Sequence, residues 1–306
     1  MYLEEKGISR TKLRMIRLES RVRVWGAVFL ALLFWVFIGV IVFNVDGPGY
    51  MMFTFATVLH FFLRFTHMES VNTERITAED TLIGSEAEAE AAGASVFWRA
   101  LHTVSRREGF LDENIVAIVR HDSDKQAWAL KGEYHGVYGV MVTDWILEAL
   151  DEKELEAVVS HEMAHITDVG SDLNALCVID AIINASKSLS GAIPLASIIL
   201  VGVWMLGYGD QPGDLMLLTL VNVCTFIFGF GWGHRLIAFI WREHEYMADA
   251  IGCGKMGLVW PMINALTKIV EPRPANTIAN VIHYEPKKHT HPCLEDRMNH
   301  LLRIRK

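Results

Sequence analysis

Two histidines and a glutamate near the middle of the chain have the types and spacing to hold and use a metal ion. They stand in the sequence His161-Glu162-Met163-Ala164-His165. Residues four apart on a helix lie one turn from each other, so both imidazoles can meet one ion. Glu162 follows the first histidine and can reach a water held by that ion. The pattern predicts metal-assisted hydrolysis with Glu162 as general base.

A second charged segment, residues 241–249, can supply the third protein ligand. A hydrolytic zinc site uses three protein ligands and keeps a fourth position open. Glu245 and Asp249 are four residues apart and share one helix face. One of these carboxylates can ligate the ion while the other accepts a hydrogen bond from a ligand imidazole and fixes its tautomer.

The metal motif needs a helix to position it, and its flanking residues predict one. Asp151 and Glu154 give a cap-like start for a helix from Glu152 to about Thr167. A second, amphipathic helix is predicted from a cap at Ser95 to Gly109. Residues 81–95, rich in Glu, Ala, Gly and Ser, are interpreted as a loop or a loose helix.

Two strands are predicted ahead of the metal motif. The first is Ile115–Val119 and the second is Tyr138–Thr143. In the second, Val140 and Val142 alternate with Met141, which is the pattern of a strand with two different faces.

Four long runs lack charged side chains, which favours a membrane protein. Twenty such residues cross a hydrocarbon core of about 30 Å. Lys and Arg precede the first run and follow the second and the fourth, whereas the two intervening turns contain neither. The positive-inside rule then puts both termini and residues 64–187 in the cytoplasm. The runs are Val24–Phe43, Gly47–Leu63, Ser188–Gly209 and Leu215–Gly233.

Composition and charge exclude several other classes of protein. The 306 residues carry a formal net charge of -8, which argues against a general nucleic-acid binder, because that would need a basic face. A hydrophobic content of 52% excludes low-complexity disorder. The isolated cysteines indicate neither a thiolate zinc site nor a disulfide framework; they are Cys177, Cys224, Cys253 and Cys293.

The order of these motifs resembles the HtpX-type membrane zinc metalloproteases, and the CAAX prenyl protease relatives share the ligand pattern. The resemblance rests on the His161–His165 motif, an interposed membrane hairpin and the Arg242–Asp249 segment. Thr290–Arg297 resembles the family's C-terminal His-Pro…Arg motif. Val140–Trp145 resembles the strand and turn ahead of its zinc helix.

The resemblance implies a role for each matching residue. His161, His165 and Glu245 would be the zinc ligands, Glu162 the general base and Asp249 a hydrogen-bond partner of a ligand histidine. His291 would stabilise the oxyanion, and Arg297 would lie near the site.

The resemblance also implies that a substrate binds as an added strand beside residues 138–143. The strand residues concerned are Val140, Met141 and Val142, and their backbone hydrogen bonds ignore the substrate's sequence. The chain departs from the family at residues 126–129, which are Gln-Ala-Trp-Ala instead of the usual Asn-Ala-Phe-Ala. It departs again at 167–170, where Thr-Asp-Val-Gly replaces the frequent Asn-x-Asp. These departures bear on substrate preference and on the end of the motif helix.

The expected fold is an α+β integral membrane protein, mostly helical. It has four transmembrane segments in two hairpins and a cytosolic gluzincin-type zinc protease domain with a small β-sheet. A basic N-terminal arm would orient the chain and touch anionic lipid. In order, the predicted parts are the arm 1–23, the hairpin 24–63, the first half of the protease domain 64–187, the hairpin 188–233 and the second half 234–306.

The expected function is that of an endopeptidase with one Zn²⁺ per chain. It would cleave misfolded or damaged membrane proteins on the cytosolic side of a bacterial inner membrane, as part of quality control and the stress response. Its expected partners are polypeptides and the lipid bilayer, without nucleic acid. A membrane scaffold with a structural zinc site is the main alternative, and the presence of Glu162 argues against it.

Two further alternatives fit less well. A site-2 type intramembrane protease would place the metal motif inside lipid, but Asp151-Glu152-Lys153-Glu154 is too polar for that position. A transporter would be expected to show an inverted repeat, which the sequence lacks.

Overall fold

The computed structural model describes ten stretches of the chain, which belong to two compact units. The first unit comprises Met1–Ser20, Asn72–Ser171 and Arg242–Lys306, and the second comprises Arg21–Val71 and Asp172–Trp241. The described residues are 7–43, 57–60, 62, 76–77, 79–109, 115–131, 138–167, 178–191, 212–269 and 292–305.

Most described residues are helical. Two π-helical segments, Phe228–Trp232 and Ala250–Gly254, directly follow α6 and α7. Residues 57–60 and 178–191 are helical as well. The α-helices are α1 (Arg10–Phe43), α2 (Glu86–Ala91), α3 (Ser95–Glu108), α4 (Asp144–Ala149), α5 (Glu152–Thr167), α6 (Pro212–Ile227), α7 (Gly233–Asp249), α8 (Val259–Ile269) and α9 (Leu294–Arg305).

The first unit contains a four-stranded mixed sheet in the order β1-β2-β4-β3. Its strands are β1 (Thr81–Ile83), β2 (Ile115–Arg120), β3 (Ala127–Lys131) and β4 (Tyr138–Thr143). β2 and β4 are parallel, whereas β1 and β3 run antiparallel to their neighbours. The predicted strands correspond to β2 and β4. Neither β1, with three residues, nor β3 was predicted.

β4 is buried on both faces, because the sheet has apolar side chains on either side. Val140 and Val142 join the main core, together with α3, α5, α8 and α9. Met141 points to the other face and packs with Ile118 and Leu130. The predicted alternation of the two valines with Met141 is confirmed.

The helix that carries the metal motif begins as its sequence predicts. The Asp151 side chain accepts a hydrogen bond from the Glu154 backbone at 2.9 Å, and the Glu154 side chain accepts one from the Asp151 backbone at 2.9 Å. This reciprocal pair satisfies two amide groups that the first turn leaves without helical partners. Glu154 also accepts a hydrogen bond from Lys268 Nζ at 2.6 Å, which ties α5 to α8.

α3 ends where predicted, at Gly109, whose φ of 84° suits a glycine after a helix. Its start differs by one residue, because Ala94 occupies the cap position and Ser95 is already helical. The segment before it is also more regular than predicted. Ser85 caps α2 by accepting a hydrogen bond from the Glu88 backbone.

The second unit has a core of its own. It is formed by apolar residues of α1, of the helical residues 178–191, of α6 and of the π-helical segment that follows α6. Trp35 Nε1 donates to Thr57 Oγ1 at 3.2 Å, and the Phe34 and Phe228 rings stack with centroids 4.5 Å apart.

Two helices are long and apolar enough to cross a membrane, namely Arg10–Val42 and Thr219–Gly254. They contain most of the first and fourth predicted runs. Most of the second and third runs, Gly47–Leu63 and Ser188–Gly209, lies outside the described residues. The four predicted spans therefore stay a prediction.

Candidate metal centre

Three side chains from two helices converge in the first unit. α5 supplies His161 and His165, and α7 supplies Glu245. One potential ligand atom from each lies within 4.8 Å of the others. The two Nε2 atoms are 3.1 Å apart. Glu245 Oε2 lies 3.5 Å from His161 Nε2, and Glu245 Oε1 lies 3.5 Å from His165 Nε2.

These distances fit one tetrahedral zinc ion. Zinc binds imidazole nitrogen and carboxylate oxygen at about 2.0–2.1 Å, so ligand atoms around it lie about 3.3–3.4 Å apart. The three separations of 3.1, 3.5 and 3.5 Å lie close to that value. Two imidazoles and one carboxylate are also a donor set that zinc accepts in hydrolytic sites. The residues present therefore suit zinc.

Asp249 fixes the orientation of the first histidine. His161 Nδ1 donates to Asp249 Oδ1 at 2.9 Å, and both side chains are buried. In the neutral imidazole that binds a metal, a proton held on Nδ1 leaves Nε2 with a lone pair directed at the metal position. Glu245 thus lies beside the two histidine Nε2 atoms, whereas Asp249 hydrogen-bonds His161 on its other ring nitrogen.

Arg297, on α9, neutralises part of the acidic charge around the centre. Its Nη2 and Nε donate to the two Asp249 carboxylate oxygens at 2.6 and 3.0 Å, and its Nη1 lies 3.4 Å from Glu245 Oε2. Burial lowers the pKa of Arg297, but the carboxylates of Asp249 and Glu245 outweigh that effect and raise it. The guanidinium therefore keeps its charge.

The electrostatics of the centre favour a cation. Burial lowers the pKa of His161, but its hydrogen bonds with Asp249 and Glu245 prevail and raise it to about 10. Carboxylates that hold a proton on an imidazole this firmly also attract a metal ion. Burial raises the pKa of the Glu162 carboxyl group above its ordinary value.

Gly252 is a residue that the sequence analysis missed. It lies in the π-helical segment Ala250–Gly254, immediately after α7. A Cβ at this position would lie 2.5 Å from the Ser160 oxygen and 2.9 Å from the His161 nitrogen. Both are backbone atoms, so only glycine permits this approach of α5 and the π-helical segment. The signal available in the sequence was a Gly-Cys-Gly triplet three residues after Asp249.

The remaining predicted site residues have different outcomes. Arg297 does lie near the centre, whereas His291 is outside the described residues. The prediction that a substrate strand adds beside Val140, Met141 and Val142 is wrong for this sheet. β4 is an inner strand, and its backbone is already paired with β2 on one side and β3 on the other.

The cysteines take no part in the described centre. Cys224, Cys253 and Cys293 are free, and Cys177 lies outside the described residues. The buried Cys253 thiol donates to the Ala157 carbonyl at 3.5 Å.

The chain matches a known protein family and several named proteins. The family model described as "Peptidase family M48" matches residues 91–305. The chain is 28% identical over 184 residues to a "Protease HtpX homolog" of Bordetella petrii, with 59% of each chain covered. It is 29% identical over 159 residues to a protein of the same name from Paracidovorax citrulli, with 50% of this chain and 51% of that protein covered.

The chain thus spans about half the length of the curated relatives it matches, and the predicted resemblance to HtpX-type proteins is confirmed. Among solved structures, the chain is similar to "Crystal Structure of S. mikatae Ste24p". The TM-score is 0.41 and the identity 14%, with 97% of this chain and 68% of that chain covered.

Proposed function

Because the chain belongs to peptidase family M48, we propose that it is a membrane-embedded, zinc-dependent endopeptidase. The observation that carries the proposal is the convergence of His161, His165 and Glu245 at separations that suit one zinc ion. One zinc per chain would occupy this position. Glu162, beside the first ligand on the same helix, would be the general base.

Zinc, when bound, supplies a Lewis acid that polarises a carbonyl and makes water more acidic. Glu162 accepts a proton on its carboxylate from the attacking water. It then delivers this proton to the nitrogen of the leaving amine, so that the peptide bond is hydrolysed without a net change at the side chain.

Asp249 and Arg297 act on the ligands rather than on the substrate. Asp249 accepts a hydrogen bond from the Nδ1–H group of His161 and so keeps Nε2 available as a ligand. Arg297 holds both oxygens of Asp249 and limits rotation of that carboxylate. His291, at the position of the family's His-Pro motif, is proposed as a donor to the oxyanion.

The substrate is proposed to bind at the edge strand β3 rather than at β4. Among the described strands β3 pairs only with β4, so its other edge can accept an extended polypeptide. α5, which carries the metal motif, packs against β3. Backbone pairing at an edge does not depend on side chains, which suits an enzyme that acts on many unfolded segments.

We further propose a bacterial inner-membrane location with both termini and the active site in the cytoplasm. Two helices have the required length and hydropathy. Their large apolar side chains are exposed at several positions, for example Phe29 at 60% and Phe226 at 56%. The proposed substrates are misfolded or damaged membrane proteins, which such an enzyme would meet in the same bilayer. Within this proposal the hairpins 24–63 and 188–233 carry the four spans.

The test uses the detergent-purified chain and an unfolded model protein as substrate. Cleavage is followed in untreated protein, after removal of metal with a chelator, and after addition of one equivalent of zinc. We expect cleavage, its loss on metal removal and its recovery with zinc. A chain that binds stoichiometric zinc and cleaves nothing would contradict the proposal and favour a scaffold with a structural zinc site.

A further inference from the structure

The start of α1 carries a concentrated positive charge. Residues 10–23 contain six basic residues and one acidic residue, although the whole chain has a formal net charge of -8. Arg10, Arg14, Arg17 and Arg21 follow spacings of four, three and four, which places them within about 60° of one another around a helix. Arg10, Arg14 and Arg21 are exposed. These four arginines are called the basic stripe below.

An exposed apolar stripe runs beside the basic stripe. Met15, Leu18 and Val22 are 54%, 64% and 63% exposed. Their spacing continues to Trp25 and Phe29 in the uncharged part of the same helix, which are exposed as well. An apolar stripe flanked by arginines is typical of a helix at a membrane surface, where apolar side chains enter the lipid and guanidinium groups stay at the headgroups.

A third face of the same helical segment packs against the metal-binding helices. Leu13 is buried and belongs to a small cluster with Ala164, Met247, Ala248 and Ile251. Ala164 directly precedes the ligand His165. Met247 and Ala248 lie between Glu245 and Asp249. Leu13 thus contacts both helices that supply the metal ligands.

Hydrogen bonds hold the segment in this place at two further points. The Ile8 backbone nitrogen donates to the Gly254 oxygen at 2.9 Å, next to the π-helical segment that packs on α5. Lys12 Nζ donates to the Ile304 oxygen at 2.7 Å, near the end of α9, the helix that carries Arg297. The segment therefore joins three elements around the candidate metal centre.

We propose that anionic phospholipid headgroups bind the basic stripe and that this binding stabilises the metal centre. The inference rests on the proposed function and names a regulator of the same site. A lipid surface that binds this segment only while Leu13 packs against the metal-binding helices favours the packed state, because a ligand stabilises the conformation that it prefers. The adjoining apolar stripe assigns the negative partner to a bilayer rather than to a nucleic acid, which would leave that stripe in water.

The experiment places the full chain in nanodiscs, whose two open faces make the orientation of the protein irrelevant. One lipid mixture is neutral phosphatidylcholine, and the other contains about one third phosphatidylglycerol. The test variant is Arg10→Gln/Arg14→Gln/Arg21→Gln. The matched control, Arg99→Gln/Arg106→Gln/Arg107→Gln, removes three exposed arginines of α3 instead. Cleavage rate and hydrogen exchange of residues 161–165 are measured in each sample.

We expect phosphatidylglycerol to raise the cleavage rate of the wild type and the control about fivefold or more, the factor that corresponds to one basic residue near an anionic surface. The triple variant at the basic stripe should keep the rate seen in neutral lipid in both mixtures. Equal rates for an active wild type in the two lipids would overturn the proposal. An equal response of the triple variant and the wild type would overturn it too.

Two further measurements separate the possible explanations. Hydrogen exchange separates a lipid effect on the metal centre from a failure of the proposed function. A soluble headgroup separates binding of a membrane surface from binding of a free phosphate. If no sample cleaves substrate, the proposed function fails, and hydrogen exchange alone judges the lipid effect. If anionic lipid slows hydrogen exchange of residues 161–165 in the wild type but not in the triple variant, lipid binding at the basic stripe stabilises the metal centre. Unchanged exchange in the wild type overturns this proposal. Soluble glycerol phosphate is added to the neutral nanodiscs as a free headgroup. Activation by this compound equal to that by phosphatidylglycerol would overturn the assignment to a membrane surface.

Discussion

Asp249 Oδ1 lies 2.9 Å from His161 Nδ1, and both residues are buried. The pair fixes the proton of His161 on the nitrogen that faces away from the metal position. Because α5 and α7 are far apart in the sequence, this one hydrogen bond also ties together the two halves of the candidate metal centre.

Asp249→Asn should weaken zinc binding. The amide keeps the shape of the side chain but not its charge. Loss of a hydrogen-bond partner of a zinc ligand lowers metal affinity by about 10- to 100-fold. The measurement is competition for zinc with a chromophoric chelator. Asp144→Asn is the control, because Asp144 Oδ2 also lies 3.0 Å from a histidine Nδ1, that of the exposed His121. Equal zinc affinity of Asp249→Asn and wild type would contradict the assigned role.

Arg297→Gln should destabilise the fold of the first unit. The substitution leaves the buried carboxylates of Asp249 and Glu245 without their guanidinium partner, and breaking a buried ion pair on one side costs about 3–5 kcal/mol. The free energy of unfolding of the metal-free protein checks this. Arg303→Gln, at an exposed position on the same helix, should change it by less than about 0.5 kcal/mol. Similar losses in the free energy of unfolding for the two substitutions would show that the buried ion pairs of Arg297 do not stabilise the fold.

Gly252→Ala should reduce activity and zinc affinity together. The added methyl group meets the backbone of Ser160 and His161, which cannot rotate away, so the π-helical segment and α7 have to shift relative to α5. A displacement of about 1 Å at a catalytic centre can cost about 100-fold in rate. The control is Gly231→Ala in the other π-helical segment, where a Cβ would meet no atom within 4 Å. A fully active Gly252→Ala protein would refute the close approach.

The ion pair between Asp80 and Arg120 should give the first unit a defined acid sensitivity. The two-point hydrogen bond from Arg120 outweighs burial and lowers the pKa of Asp80 to about 2, from an ordinary value of 3.8. A lowered pKa contributes stability that is complete above about pH 4 and is lost as the pH falls towards 2. The free-energy difference between wild type and Asp80→Asn should therefore be about 2 kcal/mol at pH 6 and shrink below pH 4. A difference that is constant with pH would exclude this origin.

The sequence predicts the helix that carries the metal motif and the spacing of the side chains on it, because local rules govern both. The Asp151–Glu154 cap and the four-residue spacings of the ligands depend only on helix geometry. The order of the strands could not be predicted, since pairing depends on contacts between distant segments. For the same reason the inner position of β4 and the terminal position of β3 among the described strands appeared only in the structure.

Gly252 and Leu13 illustrate a second limit of the sequence. A π-helical turn contains an extra residue, so the usual helical spacing no longer indicates on which face a residue lies. The sequence therefore does not show which glycine lies against the neighbouring helix. Leu13 lies in a basic segment whose charges indicate membrane orientation, and nothing local reveals that one leucine packs against two distant helices.

The most direct test of the central claim is the cleavage rate of zinc-loaded Glu162→Gln protein, measured with its zinc content in the same sample. Glutamine keeps the size of the side chain but cannot accept the proton. We predict zinc content equal to that of the wild type and a cleavage rate lower by about 100- to 10,000-fold. Glu152→Gln, an exposed position on the same helix, should cleave like the wild type. Wild-type cleavage by zinc-loaded Glu162→Gln would contradict the role of Glu162 as general base.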